Sequence, residues 1–180
     1  MPSVIASLLQ KAVDKQRVQS QLENLTDGSF EKTSDVSGAY NCIAHAAYDS
    51  RRKWWPIPLQ HARLDRHWPD GVPRRRTIRV FRLAFEKEGY ELCDDGSLEE
   101  GFEKVVLYVS DTATAEDPLN APTHMARQLP CGKWTSKLGE DIDIVHDIPE
   151  RVTGRVYGRI ELYMRRNRMP LIKHETKATT

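Results

Sequence analysis

The run Lys104 to Ser110, Lys-Val-Val-Leu-Tyr-Val-Ser, limits the possible fold more than any other stretch of the chain. Its residues are β-branched or apolar at successive positions, so both faces of a strand formed here would be buried. Strands buried on both faces lie in the interior of a sheet. The sequence therefore predicts a central strand at these residues.

The remaining periodic segments place helices mainly in the first half of the chain and strands in the second. Helical spacing of apolar residues predicts helices over 3–24, 77–88 and 156–166. Alternation predicts strands over 90–93, 123–129 and 133–138, the last two joined as a hairpin around Pro130-Cys131-Gly132. Residues 141–145 fit either another strand or a ligand-facing loop. This order predicts an α+β fold.

The expected domain organisation is an N-terminal helix over 1–25, a single α+β domain over 26–168 and a tail over 169–180, frayed from residue 173. A length of 180 residues suits one domain with a substantial core. The N-terminal helix packs as an addition to that domain or serves as an interface with a partner helix.

Composition excludes several classes of protein. With 39% hydrophobic and 29% charged residues and a net charge of +1, the chain gives no argument for nucleic-acid binding or for a membrane surface. Three cysteines without a short-spaced pair suggest neither a disulfide framework nor a zinc ribbon. We expect no cofactor, no metal and a cytoplasmic location, with delivery elsewhere as an effector as the alternative.

The stretch Tyr40 to Tyr48 predicts a short helix with a cysteine at its start. Asn41 is a residue type that caps helix N-termini, and the residues after Cys42 are small or apolar. A thiol at a helix start lies near unpaired amides, which lower its pKa and favour a reactive thiolate. The alternative is a small buried cysteine.

An aromatic, proline-rich loop follows this helix between residues 54 and 73. Tryptophans in such a loop pack against the edge of a core or form one wall of a substrate groove. Under the second interpretation, Trp54 and Trp55 contact substrate, together with Asn41.

Cysteine catalysis needs a base and a group that orients it. His124 is the best candidate for the base, because it stands at the head of a predicted strand after a loop. His146, which follows the last strand, is the second candidate. A two-residue hairpin turn would put His124, Thr135 and Lys137 on one face, and a turn one residue longer would put Ser136 there instead. Asp141 is the first candidate for the orienting group, followed by Asp143.

Five segments together resemble a family of bacterial proteins of unknown function: Tyr40-Asn41-Cys42-Ile43-Ala44, Trp54-Trp55-Pro56, Gly101 to Val105, His124 to Gln128 and Trp134 to Gly139. The resemblance covers residues 30 to 165. Members of that family commonly have tryptophan where this chain has His45. The family is in turn similar in layout to papain-like cysteine peptidases and amidases of the NlpC and transglutaminase-like kind.

This resemblance implies a papain-like fold, in which a helical N-terminal part, with the nucleophile at a helix start, packs on a small antiparallel sheet. It also implies Cys42 as the nucleophile, His124 as the base and acyl chemistry on an amide. The third position falls on the strands after His124, where Ser136, Lys137, Asp141, Asp143 and His146 all remain candidates. Lys137 is also a candidate for contacting substrate.

Three functional hypotheses follow from these observations. The first is a cysteine-dependent hydrolase or acyltransferase that acts on a peptide, isopeptide or side-chain amide through a thioester. The second is an inactive papain-like module that grips a protein partner through Trp54, Trp55 and Trp68. The third is a metal site built from Cys42, His124, His146 and an aspartate, which the missing short-spaced ligand pair disfavours.

Overall fold

The computed structural model describes residues 4–58, 66–114 and 118–168, with side chains from residue 8 onward. The helices are α1 (Val4–Gln21), α2 (Cys42–Ala46), α3 (Ile78–Lys87) and a 3-10 helix (Pro149–Val152). The strands are β1 (Phe30–Lys32), β2 (Lys53–Trp54), β3 (Arg66–His67), β4 (Glu91–Cys93), β5 (Phe102–Val109), β6 (Pro122–Gln128), β7 (Trp134–Lys137), β8 (Asp143–His146) and β9 (Arg159–Asn167). The predicted tail lies outside the described residues.

Seven of these strands form one antiparallel sheet in the order β1-β8-β7-β6-β5-β9-β4. The two short strands β2 and β3 pair separately and in parallel. The predicted central strand is confirmed, because β5 lies between β6 and β9 and is buried along almost its whole length. The α+β class is confirmed as well, with a larger sheet than the small one expected.

The predicted closing helix over 156–166 is wrong, because these residues contribute to strand β9. Ile160, Leu162 and Met164 alternate with polar residues, which is the spacing of a strand. Pairing supplies the rest of the reason: β9 is hydrogen-bonded to β5 on one side and to β4 on the other. Without β9, β5 would be an exposed edge.

The predicted helix over 77–88 is confirmed as α3. Thr77 caps its start by accepting a hydrogen bond from the Val80 amide, and the helix ends at Lys87 before Gly89, whose φ is +86°. Glycine adopts this left-handed conformation without the steric cost that a side chain brings. The helix packs on the sheet through Phe81 and Phe85.

The predicted hairpin is confirmed, but its turn has three residues instead of two. The Leu129 amide donates to the Lys133 carbonyl at 2.7 Å, and Gly132 takes a φ of +84° between them. Three-residue turns of this type place a glycine in the left-handed region. The pairing is therefore Arg127 with Thr135, one residue away from the register of a two-residue turn.

Helices pack on both faces of the sheet and define two cores. On one face, which we call the α2 face, α2 and α3 cover apolar residues of β5 and β6, including Leu107 and Met125. On the other, which we call the α1 face, α1 covers Tyr108, Ala126 and Trp134. Alternate residues of each strand therefore belong to different cores.

Candidate functional site

Cys42 is the first residue of α2, and Asn41 fixes the start of that helix. The side-chain oxygen of Asn41 accepts hydrogen bonds from the amides of Ala44 (3.2 Å) and Trp54 (3.0 Å), and its Nδ2 donates to the Trp54 carbonyl (2.9 Å). The predicted N-cap is confirmed. Asn41 also ties α2 to β2, so its amide serves as an anchor in place of the expected contact with substrate.

The Cys42 thiol is buried, with 6% of the residue exposed. Its sulfur lies against β6, 4.0 Å from the carbonyl oxygen of Thr123. Burial raises the pKa of Cys42 to about 11, although backbone amides and the charge of Lys137 act in the opposite direction. Removal from water therefore outweighs the position at a helix start. The predicted thiolate is wrong for this conformation, in which Cys42 is a neutral thiol.

The imidazole of His124 lies on the α1 face, whereas Cys42 lies on the α2 face. His124 alternates along β6 with Met125, which packs in the same core as Cys42. The His124 ring instead contacts Tyr108, with 5.3 Å between ring centroids, on the α1 face. The backbone of β6 separates the thiol from the imidazole, and neither ring nitrogen is hydrogen-bonded to the sulfur. The expected contact between Cys42 and His124 is therefore not formed.

His124 belongs to a buried chain of hydrogen bonds that runs through Ser136 to His146. The Ile148 carbonyl can only accept, so Nδ1 of His146 donates to it at 2.7 Å and Nε2 is left as an acceptor. The Ser136 hydroxyl then donates to His146 Nε2 (2.9 Å) and accepts from His124 Nε2 (3.1 Å). Nδ1 of His124 is left as a buried acceptor without a partner.

The longer hairpin turn accounts for this chain, because it puts Ser136 on the same face as His124. Both histidines are neutral: burial lowers the pKa of His146 to about 4 and that of His124 well below its usual value. The chain of neutral rings holds β6, β7 and β8 together. His124 Nδ1 is free to accept a proton, but His124 lies on the face of the sheet opposite Cys42, so the chain supplies no base for the thiol.

Asp141, the expected orienting group, binds elsewhere. Its carboxylate pairs with Arg17 of α1, with one contact of 3.0 Å. Its carbonyl accepts from the Ser37 amide at 3.2 Å and from Nζ of Lys137. Asp141 lies in the turn between β7 and β8, so it fastens that turn to α1 and to the segment before α2. The predicted contact with His124 is wrong.

Five polar side chains meet on the α2 face, and we call them the α2-face cluster: Tyr40, Cys42, His45, Lys137 and Asp143. The Asp143 carboxylate connects most of them. Its Oδ2 accepts from the Tyr40 hydroxyl at 2.6 Å and lies 3.8 Å from His45 Nδ1. Its Oδ1 lies 3.8 Å from Lys137 Nζ and, although buried, has no hydrogen-bond partner.

Lys137 is the least expected member of the cluster, because its side chain is completely buried. Its Nζ donates to the Asp141 carbonyl and lies 4.9 Å from the centre of the Tyr40 ring. Burial lowers the pKa of Lys137, while the charges of Asp143 and Cys42 raise it. A desolvated lysine of this kind is able to take up and release a proton during a reaction. The sequence suggested Lys137 as a substrate contact and as one of several candidates for the third catalytic position.

His45 faces the same cluster, three residues beyond Cys42. Its Nε2 is hydrogen-bonded to the Thr135 hydroxyl at 3.0 Å, and its carbonyl accepts from Arg127 Nε at 3.1 Å. Burial and the charge of Arg127 lower the pKa of His45 to about 4, against the effect of Asp143. The sequence analysis predicted no functional role for His45. The spacing of three, which brings two side chains to one side of a helix, is the signal that could have identified it.

The aromatic loop is mainly structural. Trp54 and Trp68 are 4% and 2% exposed, and Nε1 of Trp54 donates to Asp49 at 3.0 Å. Trp55 is half-buried, with its ring against Phe81, 5.7 Å between centroids. The prediction that these tryptophans grip a partner is wrong for Trp54 and Trp68, because their surfaces are already used in the core.

Within 4–58, 66–114 and 118–168, no three histidine, cysteine or acidic side chains are arranged to hold a metal ion. In the same ranges, no helix has the length and hydropathy needed to span a bilayer.

A family model described as a domain of unknown function, DUF7689, matches residues 31–165. The chain belongs to this family. The DUF7689 region begins within β1 and ends within β9, so it contains the α2-face cluster and the histidine–serine chain, while α1 precedes it. No curated protein and no solved structure matches the chain.

Proposed function

We propose that the protein is a cysteine-dependent hydrolase or acyltransferase that acts on a peptide, isopeptide or side-chain amide. One observation carries the proposal: the buried Lys137 and Asp143 lie on the same face of the sheet as Cys42, and the charges of Lys137 and Cys42 affect each other's pKa. Buried ionisable groups are costly to retain, and perturbed groups concentrate at functional sites. In this proposal Lys137 replaces His124 as the base, and Asp143 replaces Asp141.

The chemistry balances with these three residues. Burial favours the neutral form of Lys137, and in that form its amine takes the proton of Cys42. The thiolate then attacks the carbonyl carbon of the amide. The Lys137 ammonium then returns the proton to the departing amine, which leaves a thioester on Cys42. Water or a second amine breaks the thioester. The Asp143 carboxylate stabilises the ammonium between these steps, and the Tyr40 hydroxyl holds that carboxylate in place.

The order of these groups along the chain supports a papain-like scaffold as part of the proposal. A nucleophile at a helix start precedes a base and then a carboxylate on successive antiparallel strands, here Cys42, Lys137 of β7 and Asp143 of β8. The papain-like families share this layout, although their base is a histidine.

The segment from Thr33 to Tyr40 covers the cluster and would have to move before substrate enters. It is tied to β8 and the preceding turn by three hydrogen bonds, from the Thr33 amide to the Asp143 carbonyl (2.9 Å), from the Asp143 amide to the Ser34 hydroxyl (2.8 Å) and from the Ser37 amide to the Asp141 carbonyl (3.2 Å). The Tyr40 hydroxyl adds the bond to the Asp143 carboxylate at 2.6 Å, which opening would also break. The neutral thiol of Cys42 thus belongs to the closed state, in which the segment from Thr33 to Tyr40 covers the cluster. Opening exposes Cys42 to water and removes the burial that raises its pKa.

Acetyl transfer from p-nitrophenyl acetate tests the proposal without knowledge of the natural substrate. We expect one acetyl group to appear on Cys42 in peptide maps, with release of p-nitrophenol that Cys42→Ala abolishes. Lys137→Met should slow acetylation by about 100-fold, the range for loss of a general base. Asp143→Asn, which keeps the volume, should slow it less.

Cys131→Ser is the matched control, because Cys131 is exposed in the hairpin turn and far from the cluster in the fold. It should leave acetylation of Cys42 unchanged. Acetylation that is confined to Cys131, or a Cys42 rate that Lys137→Met leaves unaltered in a folded variant, would contradict the proposed mechanism.

A second candidate function, a catalytically inactive binding module, is favoured by the sealed and protonated state of Cys42. Because Trp54 and Trp68 are buried, such a module would have to bind its partner through another surface. Failure of acetylation in a folded protein would leave this candidate standing.

A further inference from the structure

Asp141 connects helix α1 to the covering segment of the α2-face cluster. Its carboxylate pairs through both oxygens with Arg17 of α1, with one contact of 3.0 Å. Its carbonyl accepts from the Ser37 amide of the covering segment at 3.2 Å and from Nζ of Lys137 in the cluster. Because the carboxylate and the carbonyl belong to one residue, the position of Arg17 affects the hydrogen bond that holds Ser37.

A second set of ion pairs ties α1 to the base of the covering segment. Asp14, three residues before Arg17, is 4% exposed, and its carboxylate accepts from Arg17 at 3.1 Å and from Nζ of Lys32 at 2.7 Å. Lys32 immediately precedes the covering segment, and its Nζ lies 3.2 Å from the carboxylate of Asp35 within that segment. A buried carboxylate is costly unless it is paired, so Asp14 keeps Arg17 and Lys32 in place.

Few apolar contacts hold α1 on the sheet besides these ion pairs. Among the side chains of α1 that the structure describes, from residue 8 to residue 21, only Asp14 and Val18 are buried. Leu22, directly after the helix, is buried beside Val18 on the α1 face. The apolar anchors therefore lie at the C-terminal end of α1, and the ion pairs of Asp14 and Arg17 fasten the part before them.

We propose that α1 is an autoinhibitory clamp, which holds the covering segment closed over the α2-face cluster through the ion pairs of Arg17 and Asp14. Release of α1 from these ion pairs frees the segment to open. The regulatory meaning of the clamp rests on the proposed function, because closure affects catalysis only if Cys42 reacts with a substrate. The coupling itself is independent of that function. Since the DUF7689 region begins after α1, the clamp is an addition to the family domain.

Alkylation of Cys42 in the full chain reports opening, because the thiol is buried while the segment is closed. Arg17→Met keeps an unbranched side chain and removes the charge. We expect it to speed iodoacetamide modification of Cys42, followed by peptide mapping, at least about fivefold, as for loss of a partly buried charged hydrogen bond. Asp141→Asn, which keeps the backbone carbonyl, should act similarly. The double variant should react no more than about twofold faster than Arg17→Met, because both changes remove the same pair.

Deuterium exchange provides a second readout that involves no chemistry at Cys42. The amides of Thr33 and Ser37 donate to the carbonyls of Asp143 and Asp141, so they become free to exchange when the covering segment opens. In Arg17→Met both amides should exchange faster than in the unchanged protein. The amides of β5, at the centre of the sheet, should keep their rates.

Arg165→Met is the matched control. The side chain of Arg165 is 32% exposed, against 36% for Arg17, and it also has two acidic partners. It lies in β9, and four strands separate β9 from β1 in the sheet. This variant should leave the alkylation of Cys42 and the exchange of Ser37 unchanged.

Two results would overturn the clamp. One is a change of less than about twofold in the alkylation of Cys42 in Arg17→Met, and the other is exchange that accelerates in β5 as much as at Ser37, which would indicate general destabilisation. Faster alkylation of Cys42 in a protein that shows no acetyl transfer from p-nitrophenyl acetate would support the clamp and contradict only the proposed function.

Discussion

Ser136 joins two buried histidines, so its hydroxyl should contribute more to stability than its size suggests. Ser136→Ala removes two hydrogen bonds, of 3.1 Å from His124 and 2.9 Å to His146. It leaves an N–H donor and a ring nitrogen buried without partners. Each such group costs about 1–3 kcal/mol. We therefore expect the free energy of unfolding to fall by roughly 2–5 kcal/mol, which corresponds to a drop in Tm of roughly 5–15 °C for a chain of this size.

Urea unfolding, followed by tryptophan fluorescence, measures this loss. The midpoint should decrease while the m-value stays constant, because the variant removes interactions without changing the surface exposed on unfolding. Ser50→Ala is the matched control, as Ser50 is exposed and makes no hydrogen bond through its side chain in the described structure. A loss below about 0.5 kcal/mol, the range of ordinary surface substitutions, would refute the assignment of Ser136 as the bridge.

Three further predictions use other features of the structure. Iodoacetamide should modify Cys131 before Cys42, because Cys131 is exposed while burial raises the pKa of Cys42 to about 11. Mass spectrometry of timed samples would show the reverse order if Cys42 were the reactive thiolate that the helix start predicts. Gly158→Ala should destabilise the fold by roughly 3 kcal/mol in thermal unfolding, since Gly158 has a φ of +74° and an added Cβ would overlap the Val109 carbonyl oxygen. The pKa of His146 is lowered to about 4 in the fold, so the unfolded chain binds the proton first, and the free energy of unfolding should fall as the pH decreases from about 6.5 to 4. His146→Gln should remove about 3 kcal/mol of that fall. Identical pH profiles for the two proteins would contradict the neutral ring.

Elements with a strong local pattern could be predicted from the sequence. The apolar run of β5, the capped and glycine-terminated α3 and the hairpin around Gly132 all carry their signals within a few residues. The three residues of β1 give no such signal, because they form a strand only by pairing with β8. In β9, the sequence is compatible with helical spacing as well as with the alternation of Ile160, Leu162 and Met164, and pairing with the neighbouring strands decides between them.

The candidate site was harder to predict, because it depends on which face each side chain occupies. The helix start at Cys42 and its Asn41 cap were predictable from local sequence. One additional residue in the hairpin turn, however, places Lys137 on the α2 face and Ser136 beneath His124. The burial of Cys42 also depends on segments distant in sequence, so the direction of its pKa shift could not be read from the helix start alone.

The strands β6, β7 and β8 carry two polar networks on alternate residues, one on each face of the sheet. Lys137 and Asp143 belong to one network, and Ser136 and His146 belong to the other. A slip of one strand by a single residue would therefore break both networks together. These three strands should open as one cooperative unit, so their amides should exchange with deuterium at a common rate, slower than those of the short edge strand β4. Any opening that exposes the α2-face cluster must then come from the covering segment and not from the sheet beneath it.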